Sequence, residues 1–397
     1  MMRSPEGRFP FAGFLSTLPT PEITDILPMT TVLVLILSLY CLMLMAFLVG
    51  WAEARWQVTP PEGTTMSGIS VVIAFRNEEA NLQNLIHDLS SLTYVKESFE
   101  VILVNDHSTD GSFEIATRAI MNFRNFRVLD LPPDKTGKKL ALDLGIGEAR
   151  FDIIATTDAD CRCDEQWLWH ISTYFERSET HMLVGPVTLR PDDSLFSRLQ
   201  AIEFSSLMGS AAAAIGLGHP IMCNGANLSF RKKSFLEVDG YQNNLAIPSG
   251  DDEFLMRKMM ARYPDSIRFL NIQEAIVSSQ TQPTLKGFFF QRIRWAGKWK
   301  HNPDALTKTL AAFVLMAHLS YVGLWTAFIL APDMVIIFLA IKIILEGVFL
   351  VGVARFLRQP VDPASFILWQ ILYPFYVVII GLLSLRSSYR WKDRNYK

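Results

Sequence analysis

Apolar residues form long unbroken runs at both ends of the chain and short, interrupted runs between them. Residues 26–52 contain no charged side chain, and 30–48 are almost wholly apolar. A helix needs about 20 apolar residues to cross a bilayer, so this segment qualifies as a span. A cleaved signal peptide is the competing reading, with Ala52-Glu53-Ala54 imitating a cleavage site. Its apolar core would be only about 7–15 residues, shorter than this run. Residues 309–332 and 363–385 carry no Asp, Glu, Lys or Arg, and 334–354 carry only Lys342 and Glu346. These two are four apart, on one helix face, where they neutralise each other. An ion pair inside a helix bundle is expected there, ahead of a polar lining for a substrate path. The predicted layout is a tail, anchor and linker over 1–65, a globular block over 66–300, and membrane helices with a basic tail over 301–397. Residues 1–25 are Pro-rich and expected to be poorly ordered, and Pro60, Pro61 and Gly63 mark the linker.

Within the globular block the pattern shifts to alternating strands and helices. Residues 69–75, 101–104, 127–131 and 153–157 read as apolar strands. Residues 79–92, 112–122 and 140–149 have helical spacing. Such alternation predicts an α/β fold built on a parallel sheet. Ligands of these sheets collect at the carboxyl ends of the strands. Polar clusters fall at those ends: Arg76-Asn77-Glu78, Asn105-Asp106 and Asp158-Ala159-Asp160.

Composition narrows the classes. The chain of 397 residues is 50% hydrophobic and its net charge is −2, so no nucleic-acid partner is expected. Cys41, Cys161, Cys163 and Cys223 make no zinc-type CxxC pair and read as reduced thiols of a cytosol-facing block. Gly145-Ile146-Gly147 lacks the third glycine of a dinucleotide fingerprint. Thr136-Gly137-Lys138 lacks the spacing of a P-loop.

Five clusters carry candidate chemistry. Asp158 and Asp160 follow a strand and offer hard oxygen ligands suited to Mg²⁺ or Mn²⁺, which also accept diphosphate oxygens. An Asp-x-Asp alone is common in solvated loops; its place in a repeated βα pattern is what favours the metal. Asn105 to Gly111 (NDHSTDG) serves equally as a turn with a helix cap, with Asp106 placed for the base or ribose of a nucleotide. Lys135 to Lys139 (KTGKK), at a helix start, suits phosphate or is a solvated basic loop. Asp251 and Asp252 after Gly250 either cap a helix or supply a general base. Gln291, Arg294 and Trp295 precede the second span, where an interfacial Arg/Trp belt is the plain reading. The functional reading sets Arg294 at a diphosphate and Trp295 as a platform for an acceptor.

Taken in order, these motifs resemble the inverting family-2 glycosyltransferases. The resemblance runs through Val71 to Glu79 (VVIAFRNEE), Val104 to Gly111 (VNDHSTDG), Gly137-Lys138-Lys139, Thr157 to Asp160, Gly225-Ala226-Asn227, Gly250-Asp251-Asp252 and Gln291-x-x-Arg294-Trp295, over about residues 67–300. The last element is similar to that of ceramide glucosyltransferase-like and cellulose or hyaluronan synthase-like enzymes. The resemblance implies a GT-A fold (a Rossmann-like mixed sheet), with Glu78 and Asp106 on the nucleoside and Lys138 at base or phosphate. It implies Asp158 and Asp160 at diphosphate and metal, with Asp160 the direct ligand. It further implies Asp252 as the base, and Gln291, Arg294 and Trp295 closing over diphosphate and acceptor. The family often has Glu-Asp where this chain has Asp251-Asp252, which leaves open which aspartate is the base.

The expected activity is therefore transfer of a sugar from a nucleotide-diphosphate sugar, a UDP-sugar by resemblance, to a lipid or lipid-linked acceptor at the bilayer. A processive polysaccharide synthase is the alternative, placed second because three C-terminal spans look few for a polymer channel. A catalytically inactive scaffold is the alternative of another class. Activated sugars are cytosolic, so the block is expected at the cytoplasmic face of a bacterial plasma membrane. Lys298, Lys300 and Lys308 agree with that. The basic tail from Arg386 to Arg394 and the pair Arg355 and Arg358 then compete for one side, unless one segment is kinked or re-entrant near Pro374. Residues 203–223, with four alanines in a row and His219, are expected to form a helix near the membrane beside the acceptor's way in, or an ordinary core helix.

Overall fold

The computed structural model describes residues 23–56, 66–176, 179–242, 244–245, 250–298, 304–327, 332–385, 389–391 and 394–396. The N-terminal tail, the linker prolines, Lys300 and most of the basic tail lie outside the described residues. Four strands alternate with helices as the sequence pattern requires: β1 (Ile69–Phe75), α2 (Leu82–Ser90), β2 (Phe99–Asn105), α3 (Ser112–Ala119), β3 (Phe126–Asp130), α4 (Lys138–Glu148) and β4 (Ile153–Thr156). There follow α5 (Trp167–Phe175), β5 (Met182–Val184), β6 (Val187–Arg190), α6 (Leu195–Gly216), β7 (Leu228–Arg231), α7 (Lys232–Glu237), α8 (Asp251–Arg262), β8 (Ile267–Phe269), β9 (Val277–Gln280) and α9 (Leu285–Gly297).

The main sheet has the order β3-β2-β1-β4-β7-β5-β8. Strands β1 to β4 pair in parallel, while β7 runs antiparallel between β4 and β5. The sheet is therefore mixed, as the resemblance implies; the strand-helix alternation by itself points only to its parallel half. Strand β2 is buried at all seven positions and β1 at six of seven, which is why both read as continuous apolar runs with helices covering both faces. Gly145, half of the failed dinucleotide fingerprint, has a packing role. A Cβ there would stand 2.5 Å from Val72 Cγ1, so glycine lets α4 lie close on β1.

Helix α2 starts later than expected, because Asn77 adopts a left-handed conformation (φ 51°) and Glu78 heads a turn that accepts from Asn81 and Leu82. His107 repeats the conformation (φ 54°) after β2. Left-handed non-glycine residues at two adjacent strand ends are uncommon and cluster at functional turns.

All four expected spans are helices long and apolar enough to cross a membrane: α1 (Ile23–Trp56), α10 (Ala305–Ala327), α11 (Pro332–Phe356) and α12 (Pro363–Ser384). Helix α6 joins the bundle to the sheet. It packs along α1, α11 and α12, and its alanine run is buried. At the crossing with α1, a Cβ on Gly216 would stand 2.0 Å from the Gly50 carbonyl oxygen, so only glycine fits. Helix α6 ends in a glycine cap: Gly218 (φ 78°) donates to Ile215 and His219 donates to Ala214. His219 is thus exposed, outside the helix expected to contain it.

Lys342 and Glu346 form the expected ion pair at 2.8 Å, joined by Tyr40 at 2.7 Å and by Gln370. Helix α12 contains Pro374. Its second half packs on α9, and the following strand β10 (Tyr389–Trp391), paired with β11 (Arg394–Tyr396), lies against α9 too. Arg358, just after α11, pairs with Glu274 of the globular block at 2.7 Å. The end of α11 and strand β10 after α12 therefore both meet the globular block.

Candidate active site

The strand-end clusters converge on one cavity of about 910 Å³, bounded by the sheet, α6, α8, α9 and the membrane helices. Every site residue singled out in the sequence lines it: Glu78, Asp106, Lys138, Asp158, Asp160, Asp251, Asp252, Gln291, Arg294 and Trp295.

Local bonds explain their placement. Arg76 donates to the carbonyls of Asp106 and His107 at 2.7 and 2.6 Å, tying the β1 turn to the β2 turn. Asn77 and Glu79 accept from the backbone of Thr109 and Gly111, while Asp110 caps α3 through Ser112. Thr109 to Gly111 are thus turn and cap. Asp106 is buried and accepts from the Gly137 N–H at 3.0 Å. Its carboxylate thereby fixes the loop before Lys138. Glu78 accepts from the Asn81 amide at 2.8 Å.

Three carboxylates and two ammonium groups alternate across the floor. Lys138 Nζ bridges Asp158 at 2.7 Å and Asp251 at 3.1 Å. Lys298 Nζ lies 3.2 Å from Asp252 Oδ1, and Asp252 Oδ2 accepts from Gly225 N at 3.1 Å. A Cβ on Gly225 would stand 3.3 Å from an Asp251 oxygen, so glycine permits that approach. Burial opposes charge on Asp251, but Lys138 and Lys298 outweigh it and lower its pKa to about 2. Burial likewise opposes charge on Lys138, and Asp158 and Asp251 raise its pKa well above the usual lysine value. Lys139 faces away: its ammonium donates to Asn244 O at 2.7 Å, and burial lowers its pKa to about 8.

Asp158 and Asp160 offer the oxygen donors that a hard divalent cation takes. Asp158 already holds a cationic group, the Lys138 ammonium, at contact distance. The donor set fits Mg²⁺ or Mn²⁺ with further oxygens from a diphosphate. No cluster of three His, Cys, Asp or Glu occurs among the described residues, so those further oxygens are required.

Helix α9 begins at a Thr284 cap and carries Gln291, Arg294 and Trp295. Its unpredicted feature is Arg292. This guanidinium is buried and pairs with the equally buried Glu203 of α6 at 2.5 Å. Glu203 also accepts from Tyr376 of α12 at 2.9 Å. Arg292 lies 4.5 Å from the centres of both the Phe288 and Trp295 rings, and bonds to Gln291. Sequence reasoning read Lys298 only as a topology signal and missed Arg292. Lys298 stands four residues after Arg294, on the same helical face, and that spacing was the available clue. Nothing local marks Glu203 as the partner of Arg292. Asn227, from the Gly225-Ala226-Asn227 motif, is a structural pin bonded to Pro186, Ala275 and Trp167.

A mixed sheet with carboxylates at its strand ends, docked on apolar helices long enough to cross a membrane, is a fold of the GT-A type. Residues 70–238 match the family model for glycosyl transferase family 2, and the chain carries a family-2 glycosyltransferase domain. Over 266 residues it is 26% identical to the poly-β-1,6-N-acetyl-D-glucosamine synthase of Staphylococcus epidermidis, covering 64% of this chain and 61% of that one. A synthase of the same name from Staphylococcus aureus is 25% identical over 236 residues, covering 58% of this chain and 54% of its own. The chain thus spans less than two thirds of the length of these relatives. A mannosyltransferase from Pyrobaculum calidifontis, solved with GDP-mannose and Mn²⁺, superposes with a TM-score of 0.60 at 16% identity, over 90% of this chain and 97% of that one. This last likeness concerns the fold.

Proposed function

We propose that the protein is a processive polysaccharide synthase that adds hexosamine units from a UDP-sugar to a growing glycan at the membrane. The observation that carries this reading is the extent of the cavity. Its lining takes in Asp158 and Asp160, Trp295, then Trp369, Tyr373 and Tyr376 of α12, and Glu346 and Gln370. Aromatic faces with interspersed polar groups suit a sugar chain better than an acyl chain, and the names of the staphylococcal relatives point the same way. This reverses the order expected from the sequence, where single transfer to a lipid came first. The lipid reading keeps one supporting observation, the apolar stretch lined by Met43, Leu44, Phe47, Leu310 and Phe349.

In the proposed mechanism Asp252 takes the proton from the acceptor hydroxyl, whose oxygen bonds to the anomeric carbon of the donor from the face opposite the nucleotide. The bond from that carbon to the phosphate oxygen breaks, and UDP leaves with inversion. Asp252 is taken as the base on the resemblance, with Asp251 held by the Lys138 ammonium at 3.1 Å. Asp158 and Asp160 would hold a divalent cation, which supplies Lewis-acid stabilisation of the leaving diphosphate. Arg294 and Lys138 add positive charge at the same oxygens, Glu78 and Asp106 flank the nucleoside, and Gln291 and Trp295 position the acceptor.

UDP release by the detergent-purified protein, over a panel of UDP-sugars with Mn²⁺ or Mg²⁺, tests this reading. Release with one sugar, lost in Asp160→Ala, is the expected result. Silence with every donor would move the inactive-scaffold reading to the front.

A further inference from the structure

A second cavity, of about 630 Å³, lies apart from the first and is lined by Arg55, Asn271, Ile272, Gln273, Glu274, Gly352, Arg355 and Phe356. Two spans finish here: Thr31–Arg55 and Pro332–Phe356. The cavity therefore sits where the bundle meets the globular block, at the level of lipid headgroups. The carbonyls at these helix ends are already served, since the Asn271 amide donates to Arg55 O at 3.1 Å and the Gln273 amide to Phe356 O at 2.9 Å. The exposed guanidinium groups of Arg55 and Arg355 are not needed there, and neither has a side-chain partner among the described residues. Glu274 is the one carboxylate in the lining, and Arg358 neutralises it at 2.7 Å. The net field in the cavity is positive.

Two buried polar atoms are left without partners beside it. Asn271 Oδ1, an acceptor, belongs to the lining. Trp51 Nε1, a donor on a side chain only 5% exposed, lies 3.4 Å from where a Cβ on Gly352 would stand. Buried polar atoms of this kind cost stability unless something bonds to them. Arginine forks bind phosphate bidentately, an indole N–H donates to an oxygen, and a free amide oxygen requires a donor.

We propose that this cavity binds the headgroup of an anionic phospholipid bearing a hydroxyl, of the phosphatidylglycerol type. The phosphodiester takes Arg55 and Arg355, a headgroup hydroxyl donates to Asn271 Oδ1, and Ile272 and Phe356 meet the glycerol backbone. The site is independent of the catalytic assignment above.

The test uses the full-length protein purified in detergent with equal phosphatidylglycerol and phosphatidylcholine, with retained lipid counted by native mass spectrometry. The wild type is expected to retain phosphatidylglycerol selectively. The double variant Arg55→Gln/Arg355→Gln should lose about tenfold of that preference, with UDP release unchanged, while Arg55→Lys/Arg355→Lys keeps part of it. Equal retention by wild type and the glutamine variant would overturn the proposal and leave two ordinary interfacial arginines. Displacement of the lipid by millimolar inorganic phosphate would assign the site to free phosphate and overturn the lipid.

Discussion

Lys298 Nζ stands 3.2 Å from Asp252 Oδ1, while the other oxygen of that carboxylate accepts from the Gly225 N–H. The side chain proposed as base is thus held from two directions, by the end of α9, which also carries Trp295, and by a loop next to the sheet. Replacing Lys298 by Met removes one hold and leaves the donor carboxylates untouched. Transfer should slow by about tenfold to a hundredfold, the worth of a charged hydrogen bond, with the KM for donor changed little. Lys298→Arg should recover part of the rate. Initial rates of UDP release over a donor titration check both.

Asp251 and Asp252 are neighbours with different expected behaviour. Asp252→Asn should cost about 10² to 10⁴ in transfer rate while nucleotide still binds, as read by calorimetric titration with UDP. Asp251→Asn should cost far less in rate and should alter acid stability. The folded pKa of Asp251, about 2, lies below its ordinary value of 3.8. Its stabilising contribution is complete above the ordinary value and is lost as pH falls through about 2. The melting temperature of the wild type should therefore fall more between pH 4 and pH 2 than that of Asp251→Asn.

Asp158 and Asp160 are predicted to bind the cation with the donor. Chelation should abolish UDP release, and Mn²⁺ should restore it in the wild type but not in Asp160→Ala. Mn²⁺ binding in the presence of UDP, followed by electron paramagnetic resonance, should be lost in the same variant.

The Arg292–Glu203 pair joins α9 to α6 with both side chains buried. Arg292→Leu leaves a buried carboxylate without its cation and should destabilise by about 3–5 kcal/mol. Arg292→Leu/Glu203→Leu should cost less than the sum of its single variants, because each single change leaves the other charge stranded. Thermal unfolding of the four proteins closes the cycle.

The first four strands, the four long apolar helices and the strand-end clusters that line the cavity were legible because each signal is local. An apolar run ending in Asp or Asn marks a strand and its ligand-facing end within a few residues. The antiparallel insertion of β7 was not legible, since nothing in Leu228–Arg231 specifies its neighbours. Glu203 was hidden inside an apolar stretch, and its partner lies 89 positions away. Gly216 carries no sign that Gly50 lies against it. Long-range pairs of this kind decide how the membrane helices sit on the catalytic block, and single-sequence patterns do not encode them.

The central claim is processivity, and product length tests it most directly. The purified full-length protein would be incubated with the UDP-sugar that it cleaves, the divalent cation and a short oligosaccharide acceptor of the same sugar. Products would be resolved by size, with Asp252→Asn alongside. A ladder extending many units beyond the acceptor, absent in the variant, is the result this account predicts. Products that stop at one added sugar, or sugar recovered only on lipid, would contradict it.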